Sequence, residues 1–421
     1  MILAANRPPL LSGNNYCIIT QKNRTIMRFT CRMVCVFSIL LTVLYSQAQS
    51  DVNKLKIAVF APLYLDQVFV GNDLKSGNNN GLPKTLLPGL EFYNGVMMAI
   101  DSLKAEDNQG SSIEVKIFDS KGVFESINNI INEGQLNDVS LIIASFNDKA
   151  EIRHLANFAL EKKIPLISST YPNDGGITNN PYFILINSSL RTHLEELYRF
   201  IQRNYATNNI VLFRKKGPVE DMIQSVFGEM GKSTLSIPLK IKTVELPENF
   251  TDRNVLDFLD STKKNTVICG TINEEFGLRL IKVLNSDPEH ASTIVGMPTW
   301  DGFKSLTNSN YKGVDIVYST PYNFSRSNKT GIHLTHNYRS RFFARPSDMV
   351  FKGFESMYHF TKILMEHQIN LTSFLSDKKY TLFNEFDIRT VRNKTTHNID
   401  YLENKKLYFI KKASGSVKVI Y

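Results

Sequence analysis

Short apolar segments with strand character alternate with amphipathic segments with helical character through most of this 421-residue chain. Residues 56–63 form the first apolar run, and residues 90–103 then place apolar side chains three and four positions apart. Strands that alternate with helices form parallel sheets covered by helices on both faces. The pattern therefore predicts an α/β fold. Because it extends over both halves of the chain, it predicts two doubly wound lobes with parallel central sheets.

The order of the elements changes near the C-terminus. Two helices, at residues 329–343 and 347–367, follow each other closely, and residues 414–416 resemble a hairpin turn. Strands are expected in three further segments, at residues 383–388, 399–403 and 406–411. This region therefore departs from the strict alternation that precedes it.

Residues 1–48 are expected to be a leader and signal peptide. Arg28 and Arg32 precede an apolar stretch at residues 34–45, which is shorter than the roughly 20 residues needed to cross a bilayer. Small residues that end at Ala48 form a typical cleavage site. The true start is expected at Met27, and an uncleaved membrane anchor is the alternative interpretation.

The cysteines support export without a lipid anchor. No cysteine stands at the expected cleavage point, and Cys269 is the only one that follows the leader. A single cysteine allows no intrachain disulfide and no thiolate metal site. Because Cys269 lies in the apolar run at residues 266–270, we expect a buried, inert thiol. The sequence thus predicts a soluble periplasmic protein.

Charge and motif content exclude several function classes. The net charge of +9 falls to +4 once the five basic leader residues are removed, and the remaining basic residues are scattered. We therefore expect no nucleic-acid partner. The sequence contains no nucleophile elbow, no His-Glu-x-x-His motif and no phosphate-binding loop, so we expect no enzyme activity. His333 and His336 have helical spacing but no nearby third ligand, so we expect neither a metal nor a cofactor.

A series of short motifs follows in order along the mature chain, at residues 56–63, 95–100, 141–145, 164–168, 181–183, 311–314, 319–322, 345–347 and 353–358. Their order and spacing resemble the type I periplasmic binding proteins, the leucine/isoleucine/valine-binding branch of ABC-transporter receptors, and especially the Bacteroidetes members. The resemblance covers nearly all of the mature chain. It implies two lobes joined by a three-segment hinge, with a ligand in the cleft between them. The implied first lobe is 51–189 plus 321–385, and the implied second lobe is 190–320 plus 386–421.

Two loops of the first lobe carry candidate ligand-binding residues. In the family, the loop that here contains Ser145 and Asn147 offers a hydroxyl and backbone N–H groups to an anion such as a carboxylate. An ordinary helix cap is the alternative interpretation. Ser168, Ser169 and Thr170 follow a buried strand, where hydroxyl groups are well placed to read a polar ligand. The alternative there is a turn whose hydroxyls bond only the backbone.

A loop of the second lobe contains the other two candidates. In the family this loop can supply an acid for a ligand ammonium group, and Asp301 is the nearest match. Trp300, the only tryptophan, is expected to form a wall of the cleft, with a packing role as the alternative. The chain departs from the family at residues 214–218 and at Thr271 and Ile272, where aromatic residues are typical. Arg214 and Lys215 there favour a more anionic ligand.

The sequence therefore predicts a monomeric solute-binding protein without covalent chemistry. Its expected ligand is a small polar solute such as an amino acid, a short peptide or another anion-bearing molecule. Its expected partner is an ABC permease in the inner membrane. The alternative is a periplasmic regulator or scaffold of the same fold that binds a protein or cell-wall partner.

Overall fold

The computed structural model describes residues 55–71, 73–75, 82–106, 113–123, 125–307 and 311–420. The leader predicted at residues 1–48, with its cleavage site, lies outside the described residues. No helix in the described part of the chain is long and apolar enough to cross a membrane.

The first lobe is built on a sheet in which the structure describes seven strands. In spatial order these are β13 (Ile388–Arg392), β14 (Ile399–Asn404), β7 (Phe183–Leu185), β6 (Leu166–Ser168), β5 (Leu141–Ala144), β1 (Leu55–Ala61) and β4 (Ile113–Asp119). All neighbours pair in parallel except β13 and β14. A short antiparallel pair, β2 (Phe69–Val70) and β3 (Asp73–Leu74), lies apart from this sheet.

Helices cover both faces of the first sheet, and each face has its own hydrophobic core. The helices of this lobe are α1 (Leu65–Val68), α2 (Leu87–Glu106), α3 (Ile127–Asn132), α4 (Lys149–Lys162), α9 (Lys329–Phe342) and α10 (Asp348–His367). Helices α2 and α10 cross in close contact on one face. A methyl group on Gly95 would clash with the carbonyl oxygen of Val350, and one on Gly353 with that of Phe92, so glycine permits this crossing.

The second lobe has the same construction, again with seven described strands. In spatial order these are β16 (Ser416–Ile420), β15 (Tyr408–Ala413), β12 (Asp315–Thr320), β11 (Ser292–Val295), β10 (Asn265–Cys269), β8 (Asn209–Arg214) and β9 (Ile241–Glu245). The five strands from β8 to β12 pair in parallel, and β15 and β16 form an antiparallel edge. Its helices are α5 (Leu190–Tyr205), α6 (Pro218–Ser233), α7 (Arg253–Leu256) and α8 (Glu274–Ser286). The predicted α/β class and two doubly wound lobes are thus confirmed.

Two local predictions in the second lobe are confirmed. Strands β15 and β16 form a hairpin, and the turn residues Ser414 and Gly415 have φ angles of 49° and 79°, in the left-handed region that such tight turns require. Cys269 is fully buried, and burial raises the pKa of its thiol to about 12. It is therefore the inert core thiol that its apolar surroundings in the sequence indicated.

The chain crosses between the sheets three times: after β7, after β12 and after β14. We expected the last crossing near residue 385, with residues 386–421 in the second lobe. The structure corrects this boundary, because β13 and β14 belong to the first sheet. Strand β14 pairs with β7, whose edge would otherwise be unpaired, and the last crossing therefore lies between Asn404 and Tyr408.

Candidate functional site

The strand ends that face the lobe boundary define the candidate cleft. The three crossings leave from the carboxyl ends of β7, β12 and β14, so these ends of the two sheets adjoin the hinge. Loops at the carboxyl ends of parallel strands are the usual ligand sites of open α/β sheets. The predicted loops after β5, β6 and β11 all lie at such ends.

Two of the predicted hydroxyl residues meet in the first lobe. Ser145 Oγ and Thr170 Oγ1 are 3.1 Å apart, and Thr170 Oγ1 also donates to the carbonyl oxygen of Phe146 at 3.1 Å. Asn187 Nδ2 donates to the carbonyl oxygen of Thr170 at 2.6 Å. This network links the loops after β5 and β6, and it fixes the orientation of both hydroxyls.

Ser168 and Ser169 are fully buried. Neither Oγ atom has a hydrogen-bond partner among the described residues. Buried hydroxyl groups usually have one, so these two retain unused hydrogen-bonding capacity next to the Ser145 and Thr170 pair. The carbonyl oxygen of Ser169 accepts a hydrogen bond from the Tyr322 hydroxyl, which lies just after β12. The hinge thereby holds the serine loop in place.

Asn147 is exposed, and its Nδ2 donates to the hydroxyl of Tyr64 at 2.7 Å. The cap of α4 is Asp148, whose carboxylate accepts from the backbone N–H of Ala150 at 2.7 Å. Neither Ser145 nor Asn147 therefore performs the capping role that was their alternative interpretation. Sequence patterns contain no signal for Tyr64, because its contact with Asn147 joins two loops 83 positions apart.

Asp301 lies where the second lobe meets the hinge. Its carboxylate accepts a hydrogen bond from Thr320 Oγ1 at 3.1 Å, and the residue as a whole is exposed. Burial of the carboxyl group raises the pKa of Asp301, while the Thr320 hydrogen bond and the positive charges of Lys352 and Lys412 oppose that rise. Lys352 belongs to α10 of the first lobe, so two opposite charges face each other across the lobe boundary.

The two lysines complete this end of the cleft. Lys352 Nζ lies 4.4 Å from the ring centroid of Tyr322, and Lys412 Nζ donates to the carbonyl oxygen of Leu306 at 3.1 Å. Burial lowers the pKa of both ammonium groups, and the charge of Asp301 partly offsets this. Asp348, which pairs with Arg326, adds a second carboxylate whose charge acts on Asp301 and Lys352. The arrangement thus places carboxylate and ammonium groups together in a partly desolvated place, which suits a ligand that carries both charge signs.

Solved structures share this architecture. A branched-chain amino acid ABC transporter periplasmic ligand-binding protein from Burkholderia xenovorans matches with a TM-score of 0.58 and 11% identity, over 87% of this chain and 95% of that protein. An ABC transporter substrate-binding protein from Desulfitobacterium hafniense, in complex with Leu, matches with a TM-score of 0.55 and 10% identity, over 87% and 100%. No protein-family model and no curated protein matches the chain. The chain has the type I periplasmic binding protein fold.

Within this type I periplasmic binding protein fold, the structure does not bring Trp300 into the cleft. Its side chain is completely buried in the core of the second lobe, near Phe303. It fills space that a methyl group on Gly296 would occupy, and it packs closely against Gly277. The expected wall role is therefore wrong for this conformation, and the alternative packing role applies.

Two of the residues that depart from the family, Arg214 and Thr271, are also internal. The Arg214 side chain is only 7% exposed, and its guanidinium is bonded to Asp221, to Gln224 and to the carbonyl oxygen of Lys215. Thr271 Oγ1 donates to the buried carboxylate of Glu220. Arg214 is thus committed to structural partners, so the expectation that it attracts an anionic ligand loses its basis.

One cluster among the described residues has metal-ligand chemistry. Glu366, His367 and Asp377 place one ligand atom each within 4.8 Å of one another near the end of α10. Lys379 and Tyr380 already bond the two carboxylate oxygens of Glu366. The cluster is therefore a set of side-chain ion pairs away from the cleft, and the expectation of no metal stays a prediction.

Proposed function

We propose that this protein captures a small polar solute between its two lobes and releases it unchanged. The observation that carries the proposal is the presence of two sets of polar groups beside the hinge. One is a set of hydroxyls in the first lobe, two of them without partners, and the other is the charged set around Asp301. Closure of the hinge desolvates a ligand that touches both lobes, and such contacts favour the closed state.

The charged end of the cleft favours a ligand with an ammonium and a carboxylate group. Asp301 is positioned for the ammonium group, and Lys352 with Lys412 for the carboxylate. An amino acid or a short peptide has this chemistry, and the Desulfitobacterium hafniense structure of the same fold contains Leu. A solute that bears only an anionic group would use the two lysines alone.

The same proposal includes a cellular compartment and a transport partner for this protein. We infer an exported periplasmic protein that acts as a monomer and delivers its ligand to an ABC permease in the inner membrane. The names of the structural neighbours support a transport role, because they describe ABC-transporter binding proteins. A folded two-lobed receptor needs no covalent chemistry for this task, and we propose none.

A regulator or scaffold of the same fold remains the second candidate. One observation favours it: at the carboxyl ends of β8 and β10, Arg214 and Thr271 are committed to internal partners. The second lobe then offers a ligand fewer polar groups than the first. A protein or cell-wall partner would require fewer such groups inside the cleft.

A thermal-shift screen of purified residues 49–421 separates the two candidates. The screen contains amino acids, short peptides and simple anions at millimolar concentration. A specific ligand binds only the folded state and should raise the Tm by several degrees through mass action. No shift with any compound, together with a protein partner recovered by pull-down, would reject solute capture.

The site itself is tested by the double variant S145A/S169A. Loss of these two hydroxyls should weaken binding of a ligand found in the screen by about thirtyfold, since each hydrogen bond is worth about 1 kcal/mol. The matched control is S233A/S236A, which removes two exposed hydroxyls of the second lobe. Equal affinity of both variants would place the ligand outside this cleft.

A further inference from the structure

A second cavity, of about 740 Å³, lies in the first lobe between strand β4 and helix α2. None of the hydroxyl or charged residues of the candidate cleft lines it. Its volume falls within the range of about 300–1,000 Å³ that is usual for small-molecule sites. It is therefore large enough for a ligand of its own, independent of the proposed solute.

The cavity follows the full length of both elements. Ile113, Val115 and Ile117 alternate along β4 and so present one face of this edge strand to the cavity. Leu90, Tyr93, Met97 and Ile100 present one face of α2 at helical spacing. Six residue steps of β4 span about 20 Å, so the cavity is an elongated channel.

Apolar side chains also cover the channel. Leu65, Val68 and Phe69 come from the segment around α1, and Leu82 and Leu86 precede α2. Leu65, Phe69 and Leu82 are at the same time more than a third exposed to solvent. Exposed large apolar residues that border an apolar cavity are typical of an entry site for an apolar ligand.

Three of the described residues that line the channel are charged: Lys104, Asp119 and Glu125. Lys104 lies near the C-terminal end of α2, beside Ile113 at the start of β4, and has no ion pair with a described residue. Asp119 lies at the other end of β4. Its carboxylate is occupied by the backbone N–H groups of Leu63, Tyr64, Leu65 and Lys121, at 2.8–3.1 Å. The available cation is thus at one end of an apolar channel.

We propose that this channel binds one long acyl chain with an anionic headgroup, with the chain along β4 and the headgroup at Lys104. The length agrees, since the hydrocarbon core of a bilayer is about 30 Å thick and one acyl chain spans about half of it. Each additional buried methylene group strengthens binding, so an apolar channel of this length selects long chains over short ones. The ligand is either a free fatty acid or the acyl chain of a single-chain lipid.

Binding of palmitate to the purified protein, measured by isothermal titration calorimetry, tests the proposal. We expect one palmitate per chain, and at least tenfold weaker binding of octanoate. V115W and M97W, which fill the channel from its two sides, should each weaken palmitate binding at least tenfold. V417W, which adds the same bulk at an exposed site of the second lobe, should leave it unchanged. Unchanged binding to both channel variants would overturn the proposal.

The headgroup position is tested by K104M, with K282M, at an exposed lysine of α8, as the matched control. K104M should weaken palmitate binding about fivefold and leave methyl palmitate unaffected, while K282M changes neither. Binding of palmitoyl lysophosphatidylglycerol distinguishes a single-chain lipid from a free fatty acid as the source of the acyl chain. Tighter binding than palmitate identifies a lipid, weaker binding a free fatty acid, and both results support an acyl site. Binding to phosphatidylglycerol vesicles without binding of either single-chain probe contradicts it.

A photoreactive palmitate provides a readout that needs no substitution. With a diazirine at the methyl end of the chain, cross-links should map to residues 63–65 and 90–93, far from Lys104. Cross-links outside the elements that line the channel would refute the site. The photoprobe thus decides the question even where a tryptophan variant fails to fold.

Discussion

In the first lobe, Ser168 and Ser169 are buried, and their hydroxyl groups have no hydrogen-bond partner among the described residues. In the second lobe, the polar side chains at the corresponding strand ends are bonded within the lobe, Arg214 to Asp221 and Gln224, and Thr271 to Glu220. The lobes share an architecture but use their cleft-side residues differently. The first lobe has hydroxyl groups with unused hydrogen-bonding capacity, while in the second lobe Asp301 is the charged group that we propose for the ligand.

The substitution with the largest expected effect is W300A, which tests whether Trp300 supports the core of the second lobe or forms a wall of the cleft. Trp300 is fully buried in the second lobe, so its removal should lower the free energy of unfolding by about 3–5 kcal/mol, as for other large-to-small core changes. Urea denaturation followed by circular dichroism measures the effect. W300F, which keeps most of the ring, should cost much less. A stable W300A protein with lost ligand binding would instead restore the wall role for Trp300.

A buried glutamate of the first lobe, next to the hinge, should make the free energy of unfolding depend on pH. Glu355 of α10 is buried and accepts from the backbone N–H groups of Phe383 and Asn384 at 2.9 and 2.7 Å, and Asn384 Oδ1 accepts from the N–H of Asn323 in the second crossing at 2.6 Å. Burial raises the pKa of Glu355 to about 7, although these hydrogen bonds oppose the rise. The carboxyl group therefore links helix α10 to the hinge.

The folded protein binds this proton more tightly than the unfolded chain, whose Glu355 has an ordinary pKa near 4.5. The stabilisation is thus complete below pH 4.5 and is lost as the pH rises to about 7, with an amplitude on the order of 3 kcal/mol. Urea unfolding at a series of pH values should show this loss in the wild type and not in E355Q. E161Q, at an exposed glutamate, is the control. Identical pH profiles for wild type and E355Q would contradict the assignment.

Arg214 offers the next test. R214M removes the bonds to Asp221 and Gln224 and should lower the free energy of unfolding by about 2 kcal/mol, since hydrogen bonds to charged groups contribute about 1.5–3 kcal/mol. Ligand affinity should stay within twofold of the wild type. The exposed K216M is the control. If R214M binds the ligand much more weakly and remains as stable as wild type, then Arg214 belongs to the site after all.

The sequence predicted what local patterns determine. Alternating apolar segments located most of the strands and helices, and the carboxyl ends of the strands indicated the loops that contain Ser145, Ser169 and Asp301. The strand expected at residues 383–388 was wrong, because the strand in this region is Ile388–Arg392. Features that join distant segments were inaccessible. Strand β14 belongs to the first lobe because it pairs with β7, more than 200 positions earlier. Trp300 is buried because Gly277 and Gly296 leave it room, and Lys352 influences Asp301 only because α10 lies across the lobe boundary.

Substitution of Asp301 should have the smallest effect on free energy and should act on ligand binding alone. D301N removes a charge that we assign to the ligand ammonium group, so affinity for an amino-acid ligand should fall about tenfold, or about 1.4 kcal/mol, with little change in Tm. Since burial raises the pKa of Asp301, the wild-type affinity should also fall as the pH is lowered through that pKa, and D301N should lack this dependence. D257N, at an exposed aspartate of the same lobe, is the control. A D301N protein that keeps both the affinity and its pH dependence would leave the hydroxyls of the first lobe as the only recognition element, and the contrast between the lobes would then be complete.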